Sequence, residues 1–319
     1  MHAWRVTQLG QPASLQPCPR PIAQAGEALI RVKACGLNFA DLLMQEGSYQ
    51  QTPPPPFTAG MEFSGVIEAL GPDTAGPALG TRVAAFAGSG GLADYAVVPV
   101  ARLVALPASM SFAQAAAFQI AYGTSHLALD HRARLQAGET LLVMGAAGGV
   151  GLTAVEIGKR MGARVVACAR GAAKLQIAAQ AGADVLIDSD TPDLKTALKA
   201  LGGVDVVYDA VGGAGFRAAL SACRPEARIL CIGFASGEVP QIAANLLLVK
   251  NLTVMGLYWG SYLEFAPHIL TQSLQTLFAW FEAGGLSPHI SHQLPFAQYP
   301  QGLALLRSRQ ATGKVVILL

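Results

Sequence analysis

Leu141-Leu142-Val143-Met144-Gly145-Ala146-Ala147-Gly148-Gly149-Val150-Gly151 runs from an uninterrupted apolar strand, through a glycine-rich turn, into an amphipathic helix. The G-x-G-x-x-G spacing falls on Ala146, Gly148 and Gly151, with alanine at the first place. Glycine at 148 lets the backbone approach a pyrophosphate, and glycine at 151 lets the helix lie tightly on the sheet. The unpaired N–H groups of the first helical turn, with the partial positive charge of the helix end, suit the phosphates. Such spacing means little alone. Between a strand and a helix, in a βαβ unit of about 30 residues, it predicts a dinucleotide site. Ala146, Ala147, Gly148, Gly149, Val150 and Gly151 are expected to cradle it.

Downstream, the same grammar repeats. Strands are expected at Arg164–Ala169, Val185–Ile187, Val204–Ala210, Arg228–Gly233 and Leu252–Leu257, with helices at Val150–Met161, Ala172–Ala181 and Phe216–Cys223 among them. Continuously apolar strands separated by helices imply a parallel sheet covered on both faces, a doubly wound Rossmann arrangement. Upstream, Ser111–His131 reads as one helix, with Ser111 as N-cap and Gln114 completing a capping box. The first ~110 residues instead carry short strands with turn signals, the pattern of an antiparallel β unit. They include Ala28–Ala34, Glu62–Leu70, Thr81–Phe86 and Ala93–Pro99, with an extended loop at Pro53–Pro56. From about Ser261 the tail offers a helix at Leu263–Ala283, a strand near Ile290, a helix at Tyr299–Arg309 and a strand at Lys314–Leu318. It is too small to stand alone and is expected to return to the N-terminal β unit. The expected fold is therefore α/β: a Rossmann domain over 116–260 and a discontinuous, mainly β catalytic domain over 1–115 and 261–319.

The second strand of the dinucleotide unit selects the nucleotide. NAD sites carry an acid at its end, about 20 residues past the fingerprint. Here it ends Ala167-Cys168-Ala169-Arg170-Gly171 with no acid, and Arg170 and Lys174 offer positive charge to a 2′-phosphate. NADPH is the expected cofactor.

Composition narrows the remaining classes. Hydrophobic residues make up 52% and charged residues 13%, well below the usual share of about 25%. The net charge is +2 without a basic cluster, which gives no electrostatic case for nucleic acid. No apolar run reaches the ~20 residues of a membrane span, and the N-terminus lacks a signal-peptide core, so a cytoplasmic protein is expected. The five cysteines contain no C-x-x-C pair, the six histidines form no metal-spaced set, and no G-x-S-x-G elbow occurs.

Several motifs together resemble the medium-chain dehydrogenase/reductase superfamily over essentially the whole chain. Gly60-Met61-Glu62-Phe63-Ser64-Gly65 is similar to the Gly-His-Glu-x-x-Gly segment of zinc alcohol dehydrogenases, and Cys35-Gly36-Leu37-Asn38-Phe39-Ala40-Asp41 to their Cys-Gly-x-Cys-x-x-Asp. Asn38 and Met61 thus stand at two zinc-ligand places, and neither an amide nor a thioether replaces thiolate and imidazole for zinc. Gly36-Leu37-Asn38-Phe39-Ala40-Asp41 followed by Gly47-Ser48-Tyr49 resembles the zinc-free quinone oxidoreductase and zeta-crystallin branch. The resemblance implies a GroES-like catalytic domain. It implies Thr124 near a nicotinamide, Gly233 and Phe234 lining the cofactor groove, and Leu257 to Trp259 approaching the nicotinamide. Gly313-Lys314-Val315-Val316 matches the family's C-terminal strand. Ser189, after Gly182-Ala183-Asp184-Val185-Leu186-Ile187-Asp188, departs from a tyrosine that contacts the 2′-phosphate in the family.

Without a metal, hydrogen-bond donors must stabilise the substrate oxygen as hydride arrives. Asn38 and Tyr49 are the candidates, with Asp41 holding the loop; a turn-stabilising amide and an ordinary wall residue are the competing readings of Asn38 and Tyr49. Three functions fit: reduction of a quinone, reduction of an enone or 2-alkenal double bond, and a crystallin-like or RNA-binding nucleotide binder with little catalysis. A homodimer is expected through the uncharged strand Asn251–Gly256 at the edge of the parallel sheet.

Overall fold

The structure, a computed structural model, describes residues 1–319. In chain order the elements are β1 (His2–Val6), β2 (Ser14–Pro17), β3 (Glu27–Leu37), α1 (Phe39–Glu46), β4 (Phe57–Thr58), β5 (Glu62–Leu70), β6 (Arg82–Phe86), β7 (Tyr95–Pro99), β8 (Leu103–Ala105) and α2 (Phe112–Ala116). Then come α3 (Gln119–His126), β9 (Thr140–Met144), α4 (Gly149–Arg160), β10 (Arg164–Ala169), α5 (Ala172–Gln180), β11 (Val185–Asp188), α6 (Leu194–Ala200), β12 (Val204–Asp209), α7 (Gly213–Ala222) and β13 (Cys223–Cys231). The chain finishes with α8 (Ala244–Lys250), β14 (Thr253–Gly256), α9 (Tyr262–Phe265), α10 (Pro267–Glu282), β15 (Ile290–Pro295), α11 (Tyr299–Arg307) and β16 (Lys314–Leu318).

Two compact units result: Met1–Ile120 with Pro288–Leu319, and Ala121–Ser287. The second is built on a six-stranded parallel sheet in the order β11-β10-β9-β12-β13-β14. That is the 3-2-1-4-5-6 order of the doubly wound fold, and its switch point lies between β9 and β12. Leu142, Val166, Val207 and Ile229 lie at successive positions across this sheet, and Phe216 of α7 joins them in one buried cluster. The first unit holds a sheet in the order β15-β16-β3-β5-β6-β8, with β7 also paired to β3, and a smaller β2-β1-β4 sheet. Its long strand β3 meets α2 so closely that a Cβ on Gly36 would stand 1.9 Å from the Ala116 carbonyl oxygen. No helix is long and apolar enough to cross a membrane.

Three expectations need correction. The helix expected over 111–131 starts as foreseen, with both halves of the Ser111–Gln114 capping box formed, but breaks after Ala116. Ile120 gives its N–H to Glu62 Oε2 at 3.0 Å, so a side chain from β5 takes the place of the helical acceptor. The helix expected over 263–283 is two, because Pro267 opens α10 at a position where its missing N–H costs nothing. The segment 261–287, expected with the β unit, packs in the second unit instead. His126 Nδ1 and Ser273 Oγ lie 2.8 Å apart, Arg160 stacks on Trp280, and Glu156 accepts the Ser287 N–H. Helices α1, α6 and α8 were not anticipated.

Candidate active site

Within the second unit the glycine-rich turn sits at the C-terminal end of β9. Gly145, at φ +71°, makes the turn, with its N–H and that of Ala146 donated to Cys168 O at 3.0 and 3.1 Å. The turn glycine is therefore Gly145, which the motif spacing left out, while Ala146 is fully buried behind it. A Cβ on Gly151 would stand 2.1 Å from Gly145 O, so the bare Cα is what lets α4 start against the turn. Gly148 is the N-cap of α4 and offers no side chain, leaving the first-turn N–H groups of Gly149, Val150 and Gly151 uncapped by the protein. Twelve residues of α4 direct their dipole to this end, an arrangement that fits a pyrophosphate.

Across the switch point, Asp209 ends β12 in register with Met144 of β9. Its buried carboxylate accepts the N–H groups of Val211 at 2.8 Å and Gly212 at 3.1 Å and so shapes the loop beside the turn. Burial pushes its pKa up, and those two backbone hydrogen bonds pull it back. Sequence reading missed Asp209; its place at the end of the fourth strand was the available signal. Gly233 N–H reaches Asp209 O at 3.3 Å, and Phe234 beyond it is 40% exposed. Leu257 donates its N–H to Cys231 O at 3.2 Å. Trp259 is buried against α3, where a Cβ on Gly123 would stand 2.6 Å from the indole nitrogen. Thr124, the next residue of α3, is buried as well. Arg170 follows β10 and is exposed, Lys174 lies in the first turn of α5, and Ser189 gives its N–H to Ala169 O at 3.0 Å.

In the first unit, half-buried Asn38 caps α1 and meets the buried polar side chains of Glu62 and Lys314. Lys314 Nζ donates to Asn38 Oδ1 at 2.6 Å and to Glu62 Oε1 at 2.7 Å. Asn38 Nδ2 donates to Glu62 Oε1 at 3.0 Å and, weakly, to Gly36 O at 3.5 Å. Asp41 accepts the Asn38 backbone N–H at 2.8 Å. Burial raises the Asp41 carboxyl to about 7, against the pull of that hydrogen bond and of Lys314. The lysine and glutamate side chains are 5% and 1% exposed, so the pair exists only because each charge answers the other. The positive charge that meets Asn38 and Glu62 is thus the protein's own ammonium. Met61 is buried nearby in sequence, and no three His, Cys, Asp or Glu side chains converge as a metal-holding group. Tyr49, two residues past the α1 C-cap Gly47, accepts the Thr52 hydroxyl on its carbonyl at 2.9 Å. Lys314 was legible only as part of a terminal strand motif; the charge at its start was the overlooked signal.

Comparison with known proteins agrees with this geometry. Residues 24–108 match the alcohol dehydrogenase GroES-like domain family and residues 149–278 the zinc-binding dehydrogenase family. The quinone oxidoreductase-like protein 2 of Bos taurus is 38% identical over 303 residues, covering 94% of this chain and 86% of the relative. The quinone oxidoreductase of Thermus thermophilus, solved also in complex with NADPH, is 36% identical with a TM-score of 0.89, each chain covering 100% of the other. The Escherichia coli quinone oxidoreductase complexed with NADPH is 26% identical with a TM-score of 0.91, again with full coverage of both chains. With its 3-2-1-4-5-6 sheet, glycine turn and GroES-like unit, the chain is an oxidoreductase belonging to the quinone oxidoreductase branch of the medium-chain dehydrogenase/reductase superfamily.

Proposed function

We propose that the protein is a zinc-independent, NADPH-dependent reductase of quinones. The observation that carries the reading is the buried Lys314–Glu62 pair bonded to the half-buried Asn38, which puts an internal ammonium against the residue at one zinc-ligand place. The bound cofactor supplies the hydride. The chain's own residues then have two tasks. Ala146, Ala147, Gly148, Gly149, Val150 and Gly151 hold the pyrophosphate, Arg170, Lys174 and Ser189 the 2′-phosphate end, and Thr124, Gly233, Phe234, Leu257 and Trp259 the nicotinamide half. Tyr49 and Asn38 donate hydrogen bonds to the substrate oxygen. For Asn38 the usable proton is the one on its 3.5 Å contact with Gly36 O, since a substrate oxygen at an ordinary distance near 2.9 Å forms the better bond. Lys314, bonded to the amide oxygen, draws electron density from the amide and makes that N–H a stronger donor.

Reduction of an enone or 2-alkenal is the second reading, because the carbonyl oxygen conjugated to its double bond needs the same donors, and the half-buried Asn38 amide held by Lys314 serves either oxygen. Steady-state NADPH oxidation with a quinone panel and an enone panel separates them. Quinones are expected to be turned over with the higher kcat/KM; the reverse order would assign the double-bond reaction, and no turnover of either would leave a nucleotide-binding role.

The active form is proposed to be a cytoplasmic homodimer built on the cofactor unit. Strand β14 pairs only with β13 and closes one edge of the parallel sheet. Just before it, Leu248 and Val249 of α8 are 77% and 69% exposed, an apolar surface that a second copy would bury. Sedimentation is expected to give about twice the chain mass of 33.0 kDa. Thr253→Pro, which removes a ladder donor, should shift it toward the monomer. A dimer untouched by that change in folded protein would put the interface elsewhere.

A further inference from the structure

The end of β10 lacks an acid of its own, yet the sheet brings one to it. The parallel register sets Asp188, the last residue of β11, beside Ala169, the last residue of β10. Asp188 spends both oxygens on the backbone: Oδ2 accepts the Gly171 N–H at 3.1 Å and Oδ1 the Asp190 N–H at 3.0 Å. This folds the chain after β11 back toward the turn after β10, with Ser189 N–H on Ala169 O. Asp190 is thereby delivered to Arg170, whose Nε donates to Asp190 Oδ1 at 3.1 Å. Both side chains are largely exposed, 65% and 61%, so the pair is weak in water and yields to a stronger anion.

We propose that Asp190 is a specificity-determining residue of the cofactor site: it is an internal anion on Arg170 that a 2′-phosphate must displace. The inference rests on the NADPH reading above and deepens it. Arg170 answers the 2′-phosphate through its guanidinium fork, whose bonds to phosphate are charge-assisted and directional. With Asp190 in place, part of that fork is already engaged, and the entering phosphate also meets the like charges of Asp188 and Asp190. NADH suffers neither penalty, because its ribose 2′-hydroxyl can donate to a carboxylate. Asp190 therefore narrows the margin between the two nucleotides that the absence of an acid on β10 would otherwise leave wide.

Dissociation constants for NADPH and NADH, measured by titration calorimetry on the full chain without substrate, test this independently of turnover. In Asp190→Asn, NADPH is expected to bind about threefold to tenfold more tightly, with NADH unchanged or weaker. The gain should vanish when the same change is made in an Arg170→Ala background, as a direct coupling requires. An unchanged NADPH constant, an equal shift for both nucleotides, or a gain that persists without Arg170 would each overturn the assignment. Failure of the unmutated protein to bind NADPH at all would overturn the cofactor reading itself, and this inference with it.

Discussion

Lys314→Met is expected to lower the unfolding free energy by about 3–5 kcal/mol, because it strands a carboxylate in the interior. Glu62 is 1% exposed, and its Oε1 takes hydrogen bonds from Lys314 at 2.7 Å and Asn38 at 3.0 Å. After the change only the Asn38 amide and the Ile120 N–H on Oε2 remain to answer it. Asp41 loses the cation that lowers its pKa, so its carboxyl moves further up. Adding Glu62→Gln removes the stranded charge, and the double variant should recover a large part of the loss. Urea denaturation of the three variants measures both quantities. A loss below about 1 kcal/mol for Lys314→Met would mean that water, not the ammonium, satisfies Glu62.

Gly151→Val should weaken NADPH binding by at least about a hundredfold, ~2.7 kcal/mol. The added Cβ would stand 2.1 Å from Gly145 O, with Gly145 C and Ala146 Cα also inside 3.2 Å. These are backbone atoms of the turn and cannot rotate aside as a side chain would. The start of α4 must therefore move off β9, taking its uncapped N–H groups away from the pyrophosphate. Isothermal titration checks the affinity, and a circular dichroism melt checks that the sheet persists. Binding within a few-fold of the unmutated protein would place the pyrophosphate elsewhere.

How far the sequence could be read follows the range of each interaction. The parallel sheet was legible because its strands are apolar throughout and its helices lie between them, which are local patterns. The glycine turn was legible for the same reason, although positive φ belongs to Gly145 and not to the motif's first position. What escaped was set by distant partners. The break after Ala116 depends on Glu62, 58 residues from Ile120, and the pairing of Lys314 with Glu62 joins residues 252 apart. The missing acid on β10 was read correctly along the chain, while strand order placed Asp188 beside it from β11. Asn38 was recognised as a candidate donor, but its tie to Lys314 could not be seen in a terminal strand motif.

Zinc-independent reduction of a quinone by bound NADPH, with the Lys314 ammonium as the internal cation, is the proposed reaction. Its most direct test is the rate of NADPH oxidation with a quinone after exhaustive chelation, with zinc in the same sample measured by atomic spectroscopy. The predicted result is an undiminished rate at substoichiometric zinc, far below one ion per chain. A rate that falls with chelation and returns only with added zinc would contradict it.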